Sequence, residues 1–185
     1  MSASPQITEG EYEEIVLAKP IERWELVAGQ LREKPGTSWD HSRVVSDLID
    51  WLYPQLDPRQ HLPFIGAHVR CTKGTVFRPD ATIVPVEYGR DFAGRPVLAI
   101  FSRPLPFVVE IWSPSTGDYD VDTKIPEYQQ RGDLEIWRVH PCQKTITAWR
   151  RQPDGDYAES RHDREAIELH ALPDVTLALD DLFPD

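Results

Sequence analysis

Two cysteines, Cys71 and Cys142, are all that 185 residues contain. They can pair at most once and cannot build a four-cysteine zinc site, so the sequence predicts buried thiols. No apolar run approaches the roughly 18 residues of a membrane span, and the polar start from Met1 to Pro5 lacks the layout of a signal peptide. A cytoplasmic protein without a membrane partner is the expectation. Basic residues are also short, with 20 Lys and Arg against 31 Asp and Glu and a net charge of -11. Such a surface repels nucleic acid at long range, so a nucleic-acid function needs local basic groups or a metal. A Gly-rich phosphate loop, a nucleophile elbow and a His-Glu-x-x-His motif are all missing, which excludes P-loop, elbow-hydrolase and zincin chemistry. The stretch Asp118 to Asp122 opens like a calcium loop, but Thr123 and Gln129 stand where that loop needs Gly and Glu.

What is present is apolar content enough for one domain over residues 1–185, with 40% hydrophobic and 10% aromatic residues. The 17 prolines stand singly at segment edges and act as punctuation. Thr8 and Glu11 form a capping box ahead of a helix from Glu9 to Leu17 that Pro20 stops. Residues Glu22 to Glu33 alternate around Gly29 as a hairpin. Val44, Val45, Leu48, Ile49 and Leu52 make one stripe of a helix running from Ser38 or Asp40 to Leu56. Strands are predicted at Pro63 to Cys71, Asp80 to Val86, Phe107 to Trp112 and Leu134 to Val139. A helix from Asp120 to Gln130, ended by Gly132, separates the last two. Lys144 to Arg150, Asp156 to Ser160 and Ala166 to Leu169 read as a closing antiparallel meander. The whole is α+β around one central sheet.

Glu110 is the single carboxylate in an almost wholly apolar strand, and Asp80 opens another. Alternation puts Asp80, Thr82 and Val84 on one face, and Val108, Glu110 and Trp112 on one face. If the faces coincide, two carboxylates converge in an apolar setting and must share a proton, meet a cation or bind a hard divalent ion. Otherwise Asp80 is a turn residue and Glu110 the partner of an arginine. Asp120, Lys124 and Tyr128 recur every four residues, as a site face or as an ordinary surface pair. His41 either caps its helix, lines a site or is solvated, and Glu25 points either outward or to the sheet.

In order, Trp24-Glu-Leu-Val-Ala-Gly-Gln-Leu31, His41, Arg78-Pro-Asp80, Phe107-Val-Val-Glu-Ile-Trp-Ser-Pro-Ser-Thr116, Asp120-x-x-x-Lys124-x-x-x-Tyr128, Gly132 and Glu135-Ile-Trp137 closely resemble the Uma family of restriction-endonuclease-like proteins, within the PD-(D/E)xK nuclease superfamily. The resemblance runs from about residue 12 to 183. It implies a restriction-endonuclease-like fold with a four-stranded mixed core sheet flanked by helices, to which the N-terminal hairpin and the C-terminal antiparallel strands read above are added. It implies metal-dependent hydrolysis of DNA phosphodiesters, with Asp80, Glu110 and Lys124 catalytic. Mg²⁺ or Mn²⁺ would be held by Asp80, Glu110 and the carbonyl of Ile111. The superfamily lysine sits two residues after the glutamate, where this chain has Trp112, so Lys124 supplies the ammonium from the next helix. Glu25, His41, Asp120 and Tyr128 would support the site, and Arg78 would contact a phosphate. DNA is the implied partner, with Arg138, Lys144, Arg150 and Arg151 as a candidate cationic face, and a homodimer is open. The other reading keeps the fold without the activity, as a binding or structural module.

Overall fold

A computed structural model of the protein describes residues 6–183; the polar start at 1–5 and residues 184–185 lie outside them. Helix α1 (Glu9–Ala18) carries the predicted capping box: the Glu11 N–H donates to the Thr8 hydroxyl at 3.2 Å, and the Thr8 N–H donates to the Glu11 carboxylate at 2.7 Å. The hairpin follows as β1 (Trp24–Val27) and β2 (Gln30–Glu33). Its turn residues Ala28 and Gly29 have φ of +49° and +79°, the mirror-image turn whose twist suits antiparallel strands. Helix α2 (Trp39–Leu52) buries Val44, Val45, Leu48 and Leu52, and Ser38 caps it by accepting the His41 N–H at 3.2 Å.

The segment Pro63 to Cys71 is two strands, not one. β3 (His61–Ile65) and β4 (His68–Arg70) lie in different sheets. The chain changes sheet at Gly66, whose φ of +61° a side chain would resist. Then come β5 (Val76–Phe77), β6 (Ala81–Pro85), α3 (Val86–Gly89), β7 (Ile100–Phe101) and β8 (Phe107–Ile111). After α4 (Ile125–Arg131) follow β9 (Glu135–His140), β10 (Thr145–Arg151), β11 (Tyr157–His162), β12 (Ala166–Leu169), β13 (Leu172–Ala178) and α5 (Leu179–Leu182).

The central sheet is mixed and six-stranded, in the order β11-β10-β9-β8-β6-β3, so it is larger than the four-stranded core that the resemblance implies. A second, five-stranded sheet, β2-β1-β5-β4-β7, replaces the expectation of one sheet. Two of its strands, β5 and β7, have two residues each, too short for a period to register in the sequence. β8 and β9 are parallel neighbours, joined by the crossover that carries α4. β12 does not extend the meander; it pairs with β13 in a separate ribbon.

One face of the central sheet presents Ala81, Ile83, Val109 and Ile111 to α2, α5 and that ribbon. The other presents Val84, Val108 and Ile136 to α4 and the second sheet. The end of the central sheet where β6 starts and β8 stops is therefore enclosed by α2, α4 and the β1–β2 hairpin. Both thiols are free, and burial is not their common state: Cys71 is half-buried, while Cys142 is exposed in the tight turn Pro141–Gln143 between β9 and β10. Among the described residues no helix is long and apolar enough to cross a membrane.

Candidate metal and catalytic site

The antiparallel register of β6 and β8 pairs Ala81 with Val109 and Thr82 with Val108. One step outward, Asp80 stands opposite Glu110, and alternation turns both to the same face. The Ile111 N–H donates to Asp80 Oδ2 at 2.8 Å, and His41 Nε2 lies 3.0 Å from the same oxygen. His41 reaches it from the first turn of α2, which packs on the opposite sheet face. Tyr128 donates its hydroxyl to Glu110 Oε1 at 2.7 Å. Glu110 is only 1% exposed, so each of these contacts acts away from water.

Lys124 comes from a widened helical turn, Asp120–Lys124, in which the Ile125 N–H reaches back five residues to the Asp120 carbonyl. Pro126 stands just beyond; it has no N–H to donate, and its ring crowds the carbonyl four residues back. The Lys124 ammonium lies 2.9 Å from Glu25 Oε1, 3.2 Å from Glu110 Oε1 and 3.6 Å from Asp120 Oδ1. At 1% exposure it is a buried cation among three carboxylates. Glu25 faces this site because Leu26, its neighbour on β1, packs with Tyr12 and Val16 of α1 on the other side of the strand. Glu25, His41, Asp80, Glu110, Asp120, Lys124 and Tyr128 thus meet in one place.

A second ammonium was not expected from the sequence. Lys34, just past β2, lies 2.7 Å from Asp80 Oδ1 and 3.6 Å from Glu110 Oε2. The hairpin register contained the signal: Glu25 pairs with Arg32, so Arg32 and Lys34, two apart, share the face of Glu25.

Electrostatics separates the two central carboxyl groups. Burial penalises the charge of Asp80, yet Lys34, His41 and Lys124 together hold its pKa well below the ordinary range. Burial dominates at Glu110 and, with Asp120 and Asp80 adding repulsion against the pull of Lys124 and Lys34, raises its pKa. Burial likewise raises Asp120. For Lys124 burial disfavours the charge, but Glu110, Glu25 and Asp120 overcome it and push the pKa above the usual lysine value.

Other expected contacts are rearranged. The Arg78 guanidinium donates to the carbonyls of Gly66 at 3.2 Å and Glu22 at 3.4 Å, while its N–H donates to Glu25 at 2.9 Å. It braces the site and also lines, with Arg23, Lys34, His41 and Asp80, a cavity of about 210 Å³. The cationic face around the last strands is partly neutralised: Arg138 lies 2.9 Å from Asp118, and Arg150 lies 3.0 Å from Glu135.

Among the described residues no group of three or more His, Cys, Asp and Glu is arranged to hold a metal ion. The pair itself has the right chemistry, two hard carboxylates, and Glu110 Oε2 is a buried oxygen without a hydrogen-bond partner. These donors are of the kind a hard divalent ion takes, and the Lys34 ammonium holds the place between them.

The fold places the chain in a known class. It superposes on the crystal structure of a "putative nuclease belonging to DUF820" from Anabaena variabilis with a TM-score of 0.73, at 19% identity over 86% of this chain and 89% of that one. The model of the Uma2 family, described as "Putative restriction endonuclease", matches residues 10–180, and the chain belongs to that family. The comparison with curated proteins finds no match.

Proposed function

We propose that the protein is a metal-dependent endonuclease that hydrolyses phosphodiester bonds of DNA with Mg²⁺ or Mn²⁺. The observation that carries this reading is the buried Asp80–Glu110 pair on neighbouring strands, with a Glu110 oxygen that accepts no hydrogen bond and two ammonium groups around the pair. Asp80, Glu110 and the carbonyl of Ile111 would hold the ion. When bound, it supplies Lewis-acid polarisation of the phosphate and a water of lowered pKa. The chain's own groups do the positioning. His41 and the Ile111 N–H fix Asp80, while Tyr128 and Lys124 fix Glu110. Lys124 offsets negative charge that develops as the phosphoryl group is transferred and orients the attacking water. Glu25 and Asp120 aim Lys124, and the cavity beside Arg23 and Arg78 receives a backbone phosphate.

A specific observation favours a second reading, a nuclease-like binding module. Lys34 already neutralises the carboxylate pair, and the net charge of -11 opposes DNA. One assay separates the two: supercoiled plasmid incubated at low ionic strength with Mg²⁺ or Mn²⁺ and wild type, Asp80→Asn or Glu110→Gln. Both variants keep side-chain size, so circular dichroism should find them folded. The nuclease reading expects cleavage by wild type that falls at least a hundredfold in both variants. Equal cleavage by all three would expose a contaminant, and no cleavage by any would leave the binding module.

A further inference from the structure

Lys34 reaches the carboxylate pair from the hairpin end, where its own N–H donates to the Arg23 carbonyl at 2.7 Å. Its ammonium donates to Asp80 Oδ1 at 2.7 Å and to the Arg78 carbonyl at 2.7 Å, and lies 3.6 Å from Glu110 Oε2. That last oxygen is the one with no hydrogen-bond donor. The ammonium therefore stands between the two carboxylates, where a hard cation shared by Asp80 and Glu110 must also stand. Two cations cannot occupy that space together.

We infer that Lys34 is a displaceable resident cation: it neutralises Asp80 and Glu110 in the metal-free protein, competes with a divalent ion for them, and turns into the adjoining cavity when the ion binds. The inference rests on the reading of Asp80 and Glu110 as metal ligands. Surroundings decide which lysine moves. Lys124 is boxed in by Glu25, Asp120 and Glu110. Lys34 lines the cavity of about 210 Å³, with the polar side chains of Thr37 and Ser42 on the cavity wall to receive an ammonium. In the exchange a divalent cation takes the place of an ammonium, so the site gains one positive charge and the paired carboxylates are never left without a cation.

Calorimetric titration of Mn²⁺ into the full chain tests this with wild type, Lys34→Gln and Lys34→Arg, each checked for folding by circular dichroism. Lys34→Gln should bind Mn²⁺ at least tenfold more tightly than wild type, and Lys34→Arg, which keeps the competing charge, no more tightly. Wild type binding with Lys34→Gln equal or weaker would overturn the inference and leave the metal reading intact. No Mn²⁺ binding by wild type or Lys34→Gln would overturn both. Should Lys34→Gln fail to fold, the Lys34 ε-methylene NMR signals of wild type decide instead. Movement on addition of Mg²⁺, with those of Lys124 unmoved, supports displacement, and unmoved Lys34 signals contradict it.

Discussion

At the scale of residues, the structure depends on buried charges that neutralise one another. Replacing Lys124 by Met would leave Glu25, Glu110 and Asp120 facing each other without their shared cation. Losing one partner of a buried ion cluster costs about 3–5 kcal/mol; urea titration of Lys124→Met should show a loss of that order. His68 is the opposite case, a buried neutral group. The Tyr12 hydroxyl donates to the Trp24 carbonyl at 2.8 Å, so His68 Nδ1, 2.9 Å away, donates to the tyrosine oxygen. Burial, aided by Arg78, lowers the His68 pKa to about 4. The unfolded chain therefore binds a proton that the folded chain refuses. The stabilisation is present above the ordinary histidine pKa of about 6.5 and is lost as pH falls toward 4, by up to about 3 kcal/mol. Urea midpoints at pH 7.5 and pH 4.5 should differ less in His68→Gln than in wild type. Asp80, Glu110 and the four-residue spacing of Asp120, Lys124 and Tyr128 were visible as candidates, a carboxylate in an apolar run and a repeat of polar groups on a helix, but it was the family resemblance that joined them into one site. Lys34 did not stand out, being one more charged residue in Arg32 to Lys34 until the hairpin register gave it a face.

At the scale of elements, α2 does two tasks at once. Its apolar stripe covers one face of the central sheet, and its first turn aims His41 at Asp80. Ser38 starts that turn by capping the His41 N–H. Ser38→Ala should lower stability by about 1 kcal/mol; because the turn it loosens carries His41, it should also weaken Mn²⁺ affinity several-fold in the same calorimetric assay. An unchanged metal affinity would separate the cap from the site. Helix α1 was readable from its capping box and α2 from its apolar stripe, each to within a few residues. The two-residue strands were not, nor was the break at Gly66, because the apolar residues on both sides of it continue one pattern while the chain passes from one sheet to another. The widened turn at Asp120–Lys124 was hidden for a related reason: spacing of four fits it and a regular helix alike.

At the scale of the whole molecule, the proposed function has an acidic protein meet an acidic polymer, which it would do through a small number of cations. Arg138 and Arg150 are paired with Asp118 and Glu135, and the contact proposed here is the Arg23–Arg78 side of the cavity. Each phosphate neutralised contributes slightly less than one unit to the slope of log affinity against log salt. Fluorescence anisotropy with a DNA duplex in Ca²⁺ should therefore give a shallow slope of roughly -2 to -4, and binding detectable only at low salt; a steep slope would demand a basic surface elsewhere. The account as a whole stands on Asp80 and Glu110 sharing a divalent ion at the end of the central sheet. The most direct measurement is the anomalous difference map of a crystal soaked in Mn²⁺ at saturating concentration. The prediction is a peak between the Asp80 and Glu110 carboxylates with the Lys34 ammonium withdrawn from them; a map with no peak there, and Lys34 still bridging the pair, would contradict it.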